Sequence, residues 1–201
     1  MGETDLLSAE EALVSGTHRA RRSEFATGRW CARHALDQVG GPQDLPLLAD
    51  GRGAPRWPAG FVGSITHTPG WTGAVAARAG RRRGVRSVGL DAETAAPLPP
   101  GVLDVIATRR ERDEHERLVT LDPATPWDTV LFTAKEATYK AWYPLTGTVL
   151  DHDAVGVRVA RDGRFTSVAR AGVGSGARPS LRVRGRWALG SRVVVSLAVV
   201  D

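Results

Sequence analysis

Apolar positions recur with two different periods along the chain, and the change from one to the other outlines its elements. Over 22–39, Phe25, Trp30, Ala32 and Leu36 form the apolar set of a helix, and Gly40-Gly41-Pro42 stops it. Upstream, Ser8-Ala9-Glu10-Glu11 reads as a capping box with Ser8 as N-cap and Glu11 reaching back, followed by a break near Gly16. Residues 43–63 are rich in Gly and Pro and read as loop. Alternation over 72–78 and 85–93 predicts two strands, joined into a hairpin by the basic turn Arg81-Arg82-Arg83-Gly84.

After Ala95-Ala96-Pro97-Leu98-Pro99-Pro100 the pattern begins again, so the boundary between an N-terminal half (1–95) and a C-terminal half (96–201) is drawn there. Thr108-Arg109-Arg110-Glu111 is a second capping box, opening a helix to about Leu121. Thr125 as N-cap and Pro126 at the first helical position start a longer helix. Its residues Val130, Leu131, Ala134, Thr138 and Ala141 keep helical spacing, and Pro144 is expected to end it. Strands are predicted over 154–160, 164–170, 181–189 and 192–200. The class expected is α/β (α+β), with mixed or antiparallel sheets each packed against a long helix.

Composition narrows the function. Hydrophobic residues make up 42% and charged residues 24%, which excludes intrinsic disorder, collagen and coiled coil. No run of eighteen apolar residues exists to cross a membrane, and the acidic start of the chain does not resemble a signal peptide. The single cysteine, Cys31, can make neither an internal disulfide nor a Cys-rich metal site. A cytoplasmic enzyme or binding protein is therefore expected. The formal charge is +5, and arginine carries nearly all the positive charge, because Lys135 and Lys140 are the only lysines. Lysine is a compact, titratable ammonium and arginine a permanently charged fork, so two lysines five residues apart suggest a place where arginine will not serve.

The candidate chemistry lies near those lysines. Asp91 and Glu93 sit two apart at the end of a predicted strand and share a face. Glu136 and Lys140 are four apart on the long helix and share a face too. A solvated strand end and a surface ion pair would explain these separately. Taken together, Asp91, Glu93 and Glu136 make an all-oxygen set suited to magnesium, which keeps waters and completes its shell with substrate phosphate. Ser64, Thr66 and His67 lie in a small-residue turn that can offer donors to a phosphate. Arg22, Arg29 and Arg33 share a helical face, and Arg52 follows in the loop; guanidinium forks match phosphate oxygens, although solvated surface arginine accounts for most of the total. The C-terminal strands hold nine arginines against one aspartate between Ala154 and Val200, a docking face for an acidic partner or simply high arginine usage.

In order, Ser64-Ile65-Thr66-His67, Gly89-Leu90-Asp91-Ala92-Glu93 and Phe132-Thr133-Ala134-Lys135-Glu136-Ala137-Thr138-Tyr139-Lys140 resemble the three signatures of the 4′-phosphopantetheinyl transferases. The subgroup typified by the enterobactin-synthase component and a mycobacterial enzyme also has an Arg-rich helix, matched by 28–36, and a Gly-x-Pro-x-Trp-Pro-x-Gly loop, matched by 53–60. The resemblance implies transfer of the phosphopantetheine arm of coenzyme A to a serine of a carrier protein, releasing adenosine 3′,5′-bisphosphate. It implies Mg²⁺, with Mn²⁺ as a substitute, held by Asp91, Glu93 and Glu136. Glu136 would be the general base, and Lys140, with Lys135, would offset charge on the leaving bisphosphate. Arg22, Arg29, Arg33, Arg52, Ser64, Thr66, His67 and Asp91 would contact coenzyme A. It further implies two similar halves with pseudo-twofold symmetry, with Asp91 and Glu93 from one and Glu136 and Lys140 from the other, around a cleft between them.

Acidic carrier proteins are the expected partners, met by a monomer that needs no membrane and no nucleic acid. A magnesium-dependent nuclease or an Arg-rich nucleic-acid-binding module would use similar residues. The binding module is disfavoured because aromatic and basic residues do not interleave as a base-stacking platform requires.

Overall fold

A hairpin that the hydrophobic pattern conceals organises the first part of the chain. In the computed structural model, which describes residues 6–80, 84–170 and 180–201, strand β1 (Phe61–Thr68) runs antiparallel to β2 (Trp71–Arg78), with Thr68 opposite Trp71. Pro69 fixes its own φ and Gly70 takes the positive φ of 75°, which closes the turn in two residues. The sequence pattern predicts loop over 61–63 and a hairpin of 72–78 with 85–93. Instead β2 pairs with β1, and β3 (Ser87–Thr94) lies beside the last strand. Gly, Ser, Thr and His dilute the alternation of β1, which is why it reads as loop and turn. The turn expected at Arg81-Arg82-Arg83 lies outside the described residues.

The chain divides into two compact units, 1–88 with Asp201 and 89–200. In the first, short helix α1 (Ser8–Glu11) precedes helix α2 (Arg19–Gln38). Ala32 and Leu36 of α2 pack with Leu47, Trp57, Phe61, Ile65, Ala74 and Ala76. Trp30, expected in that apolar set, is 51% exposed and stacks on His34. At 3.6 residues per turn it lies about half a turn from Ala32 and cannot share its face. The cap at α1 also differs from expectation: Glu10, not Glu11, takes the Leu7 N–H at 3.0 Å.

Glu10 does more than cap. It is fully buried, bonds Arg33 at 2.8 Å and accepts the Leu47 N–H at 2.9 Å, while Arg29 Nε donates to the Leu47 carbonyl at 2.7 Å. Two arginines one turn apart on α2 and one carboxylate thus anchor the 47 segment. Removing one member of a buried ion pair leaves the other uncompensated. Glu10→Gln is expected to cost about 3 kcal/mol of stability, read as a fall in the urea midpoint with an unchanged slope.

In the second unit, helices α3 (Val102–Ile106), α4 (Arg109–Leu121) and α5 (Trp127–Thr146) precede strands β4 (Val155–Val159), β5 (Arg164–Arg170), β6 (Ser180–Leu189) and β7 (Val193–Val200). The sheet order is β3-β7-β6-β5-β4, with β4 through β7 paired antiparallel. Val130, Ala134, Ala137 and Ala141 of α5 pack with Phe165, Val183, Val194 and Ala198 in the main core. The capping box of α4 is as expected, with the Thr108 N–H bonded to Glu111 at 2.8 Å and the Glu111 N–H to Thr108 Oγ1 at 3.3 Å. The N-cap of α5 is Pro126 rather than Thr125. Its end is set by Gly147, at φ 63°, and not by Pro144, which sits inside the last turn.

The expected boundary at 95–96 moves to within β3. Pairing with β7 makes that strand part of the five-stranded sheet, and the Pro-rich stretch after it is tied down by Ala95 N–H to Arg192 O (2.9 Å) and Leu98 N–H to Asp128 (2.8 Å). The class remains as read: mixed α and β, two antiparallel sheets, and a long helix packed on each.

Candidate active site

Strand β3 and helix α5 come together because one residue has no side chain. A Cβ built on Gly89 would fall inside contact distance of the Ala137 carbonyl and 2.6 Å from the Ala141 nitrogen. Two residues later, Asp91 accepts a bond from Lys140 Nζ at 2.7 Å, with Asp91 buried and Lys140 partly exposed. Glu136, one turn before Lys140, is half-buried. Desolvation pushes its carboxyl above the usual carboxylate range; Asp91 and then Glu93 push the same way, while Lys140 and His152 pull it down.

All four groups, Asp91, Glu93, Glu136 and Lys140, therefore belong to the second unit, which corrects the expectation of a set split between halves. The cause is the one that moved the boundary: β3 pairs with β7.

Among the described residues no three of His, Cys, Asp and Glu converge tightly enough to make a ready ligand cage. Asp91 is engaged with Lys140 instead. Magnesium does not need such a cage, since it binds through one or two carboxylates and takes waters and phosphate oxygens for the rest. Glu136, whose proton affinity Asp91 and Glu93 raise, brings together with them oxygen donors of the kind that ion takes.

The crowding gives a testable titration. In metal-free protein, carboxyl-selective NMR is expected to find Glu136 titrating above 4.5, its ordinary value. Asp91→Asn removes a like charge and moves the midpoint down; Lys140→Met removes a cation and moves it up. Because the folded value is raised, ionisation of Glu136 opposes folding, and its contribution to stability falls as pH rises from 4.5 through that midpoint.

Lys135 does not join this group, contrary to expectation. It is 2% exposed, and its ammonium bonds Glu111 at 3.0 Å, the His152 carbonyl at 3.0 Å and the Val155 carbonyl at 2.7 Å. Three donors meet three acceptors, which leaves none for a ligand. Burial lowers its proton affinity and Glu111 raises it. Its role is to tie α4 and the start of β4 to α5. Glu111 completes the tie by accepting the Val157 N–H at 2.7 Å. Beside this tie, a cavity of about 260 Å³ is lined by Lys135 and Glu136 of α5 with Tyr139, Leu150 and His152 among others.

The candidate phosphate-binding groups belong to the first unit. Ser64 and Thr66 are buried, whereas His67 is exposed and meets Arg21 Nη1 at 3.3 Å through Nε2. A strand sends alternate side chains to opposite faces, so the hydroxyls and the imidazole do not converge as the expected turn would have had them. Arg22 is exposed and pairs with Glu11 at 2.6 Å, and Arg52 is exposed on its loop. Arg29 and Arg33 are held by the Leu47 carbonyl and Glu10, so the arginine face of α2 is half structural. Arg21 beside His67 was missed among the phosphate candidates; no spacing rule connects residues 46 apart in sequence.

The first unit carries exposed arginines beside His67, the second a cluster of carboxylates with Lys140, and comparison with known proteins gives the class of this α/β protein. Residues 9–77 match the 4′-phosphopantetheinyl transferase N-terminal domain, and 87–188 match the 4′-phosphopantetheinyl transferase superfamily. The chain belongs to that superfamily and is an enzyme of its class.

Among its relatives, the 4′-phosphopantetheinyl transferase PptT of Mycobacterium tuberculosis is 44% identical over 200 residues, covering 96% of this chain and 86% of that protein. The 4′-phosphopantetheinyl transferase Svp of Streptomyces mobaraensis is 44% identical, covering 97% and 78%. Enterobactin synthase component D of Salmonella typhimurium is 35% identical over 131 residues, covering 62% of this chain and 49% of that protein. No helix among the described residues is long and apolar enough to cross a membrane.

Proposed function

We propose that the enzyme moves the 4′-phosphopantetheine arm of coenzyme A onto a serine of an apo acyl or peptidyl carrier protein and releases adenosine 3′,5′-bisphosphate. The observation that carries this reading is the placement of Glu136 on α5, its proton affinity raised by burial and by Asp91 and Glu93 of β3. Such a carboxylate is a stronger base than a solvated one and suits removal of the serine proton.

Asp91, Glu93 and Glu136 are the groups that would hold Mg²⁺, or Mn²⁺ in its place. When bound, the ion would neutralise charge on the pyrophosphate as the P–O bond breaks. Lys140, a partly exposed point charge paired with Asp91, offers its ammonium to the leaving bisphosphate. His67 with Arg21, Arg22 and Arg52 are exposed and supply the phosphate contacts. Ser64 and Thr66 act from the opposite face of β1, and Arg29 and Arg33 act by holding α2. Lys135 supports Glu136 through the backbone it pins. The reading carries with it acidic carriers, a cytoplasmic location and a monomer.

The test is incubation of the protein with coenzyme A, Mg²⁺ and apo carrier proteins from fatty-acid, polyketide and nonribosomal peptide systems. A gain of one phosphopantetheine mass on a carrier is the expected result. No gain on any of them, with coenzyme A bound, would overturn the reading.

A further inference from the structure

The chain running from the end of α5 into β4 borders two open spaces. Asp151, His152 and Val155 line the cavity beside Glu136, while Asp153, Ala154 and Gly156 line a separate groove of about 990 Å³. Leu150 and Val155 pack with Trp142, but Asp151, His152 and Asp153 between them are exposed. Chain with so much open space beside it has little packing to hold it in place.

A buried ion pair meets this stretch from two helices. Lys135 Nζ of α5 donates to the carbonyls of His152 and Val155 at 3.0 and 2.7 Å, and to Glu111 of α4 at 3.0 Å. Glu111 accepts the Val157 N–H at 2.7 Å, and the Thr108 N–H and hydroxyl each reach it at 2.8 Å. The two side chains are only 2% and 4% exposed. Taking two charges out of water is costly, and an apolar pair of similar volume often serves stability as well or better. The bonds show what else the pair secures, because three of them run to the backbone at 152, 155 and 157. Lysine also suits this place better than arginine, the usual cation of the chain. An ammonium aims three donors at acceptors around it, whereas guanidinium donors lie in one plane.

The stretch bounds the space beside Glu136, and His152 on it lowers the proton affinity of that carboxyl. A reacting group misplaced by about 1 Å can lose roughly a hundredfold in rate. We propose that Glu111 and Lys135 are positioning residues for the transfer, holding 152–157 in place and so fixing where the carrier serine stands to reach Glu136. The proposal rests on the transferase reading above. Both residues act through the backbone they bind.

The test compares Lys135→Met with the double variant Lys135→Met, Glu111→Gln, on the full chain with coenzyme A, Mg²⁺ and an apo carrier. Calorimetric titration with adenosine 3′,5′-bisphosphate counts the folded molecules, so that the rate is read per folded molecule. The single variant leaves a carboxylate buried without its cation, and its melting temperature should fall. The double variant buries no charge there and should recover most of that fall. In both, kcat is expected to drop about a hundredfold while the affinity for the bisphosphate stays as in the wild type. Recovery of stability without recovery of rate separates positioning from a merely structural role. Wild-type kcat in the double variant overturns the proposal and leaves the transferase reading intact. A second measurement needs no substitution: in the wild type the Val157 amide is expected to exchange hydrogen as slowly as the amides of α5. Exchange there at the rate of an open loop would overturn the proposal even where a variant fails to fold. A wild type that modifies no carrier overturns the transferase reading and takes this proposal with it.

Discussion

Glu136→Gln is expected to slow phosphopantetheine transfer about a thousandfold, within the range that removal of a general base produces, while coenzyme A binding and the fold survive. The amide keeps the shape of the side chain and cannot take a proton. The same change should raise the melting temperature of the metal-free protein at pH 7. Desolvation, Asp91 and Glu93 all disfavour the Glu136 carboxylate, and a neutral amide escapes that repulsion. Opposite movements of activity and stability mark a group held in a strained electrostatic position for its chemistry. Intact-mass kinetics on an apo carrier and calorimetric melts give the two readings. Wild-type turnover in the variant would remove the roles of Glu136 as base and as metal ligand together.

Gly89→Ala is expected to cost about 4 kcal/mol, above the usual range for overpacking, and to remove transfer activity in whatever protein remains folded. The added methyl would meet the backbone of α5 at Ala137 and Ala141, which cannot swing aside as a flexible side chain can. Relief requires β3 and α5 to separate, and that separation pulls Asp91 away from Lys140 and Glu136. An equilibrium urea titration measures the stability, and the carrier assay on the folded fraction measures the activity. Ala92→Gly in the same strand removes a buried methyl without disturbing this contact, so it should lose stability and keep turnover. Equal loss of activity in both variants would show that the close approach at Gly89 has no special part in the site.

The helices and the C-terminal meander were legible because their signals are local. Thr108 and Glu111 lie three apart and make their reciprocal bonds wherever the rest of the chain goes. The strands over 155–159, 164–170, 180–189 and 193–200 have clean alternation on a half-buried sheet. The placement of Glu136 and Lys140 four apart on one helix was equally open to reading, although the ion pair of Lys140 is with Asp91 of β3. The ordered motifs told the family before any contact was known.

What the sequence left open were matters of partner rather than of type. Lys135 and Lys140 look alike five residues apart, yet burial against Glu111 and two carbonyls makes the first a structural tie, while the second is partly exposed and paired with Asp91. Arg29 and Arg33 read as anion binders until Glu10 and Leu47, far along the chain, take them. Strand β3 reads as half of a hairpin until β7, a hundred residues later, claims it. The amino-acid order by itself determined the helices, most strands, the family and the chemical nature of the candidate groups, because those depend on neighbours a few residues away. Only the tertiary structure decided which charges are spent on holding the fold and which stay exposed, because that depends on burial and on partners that sequence distance hides.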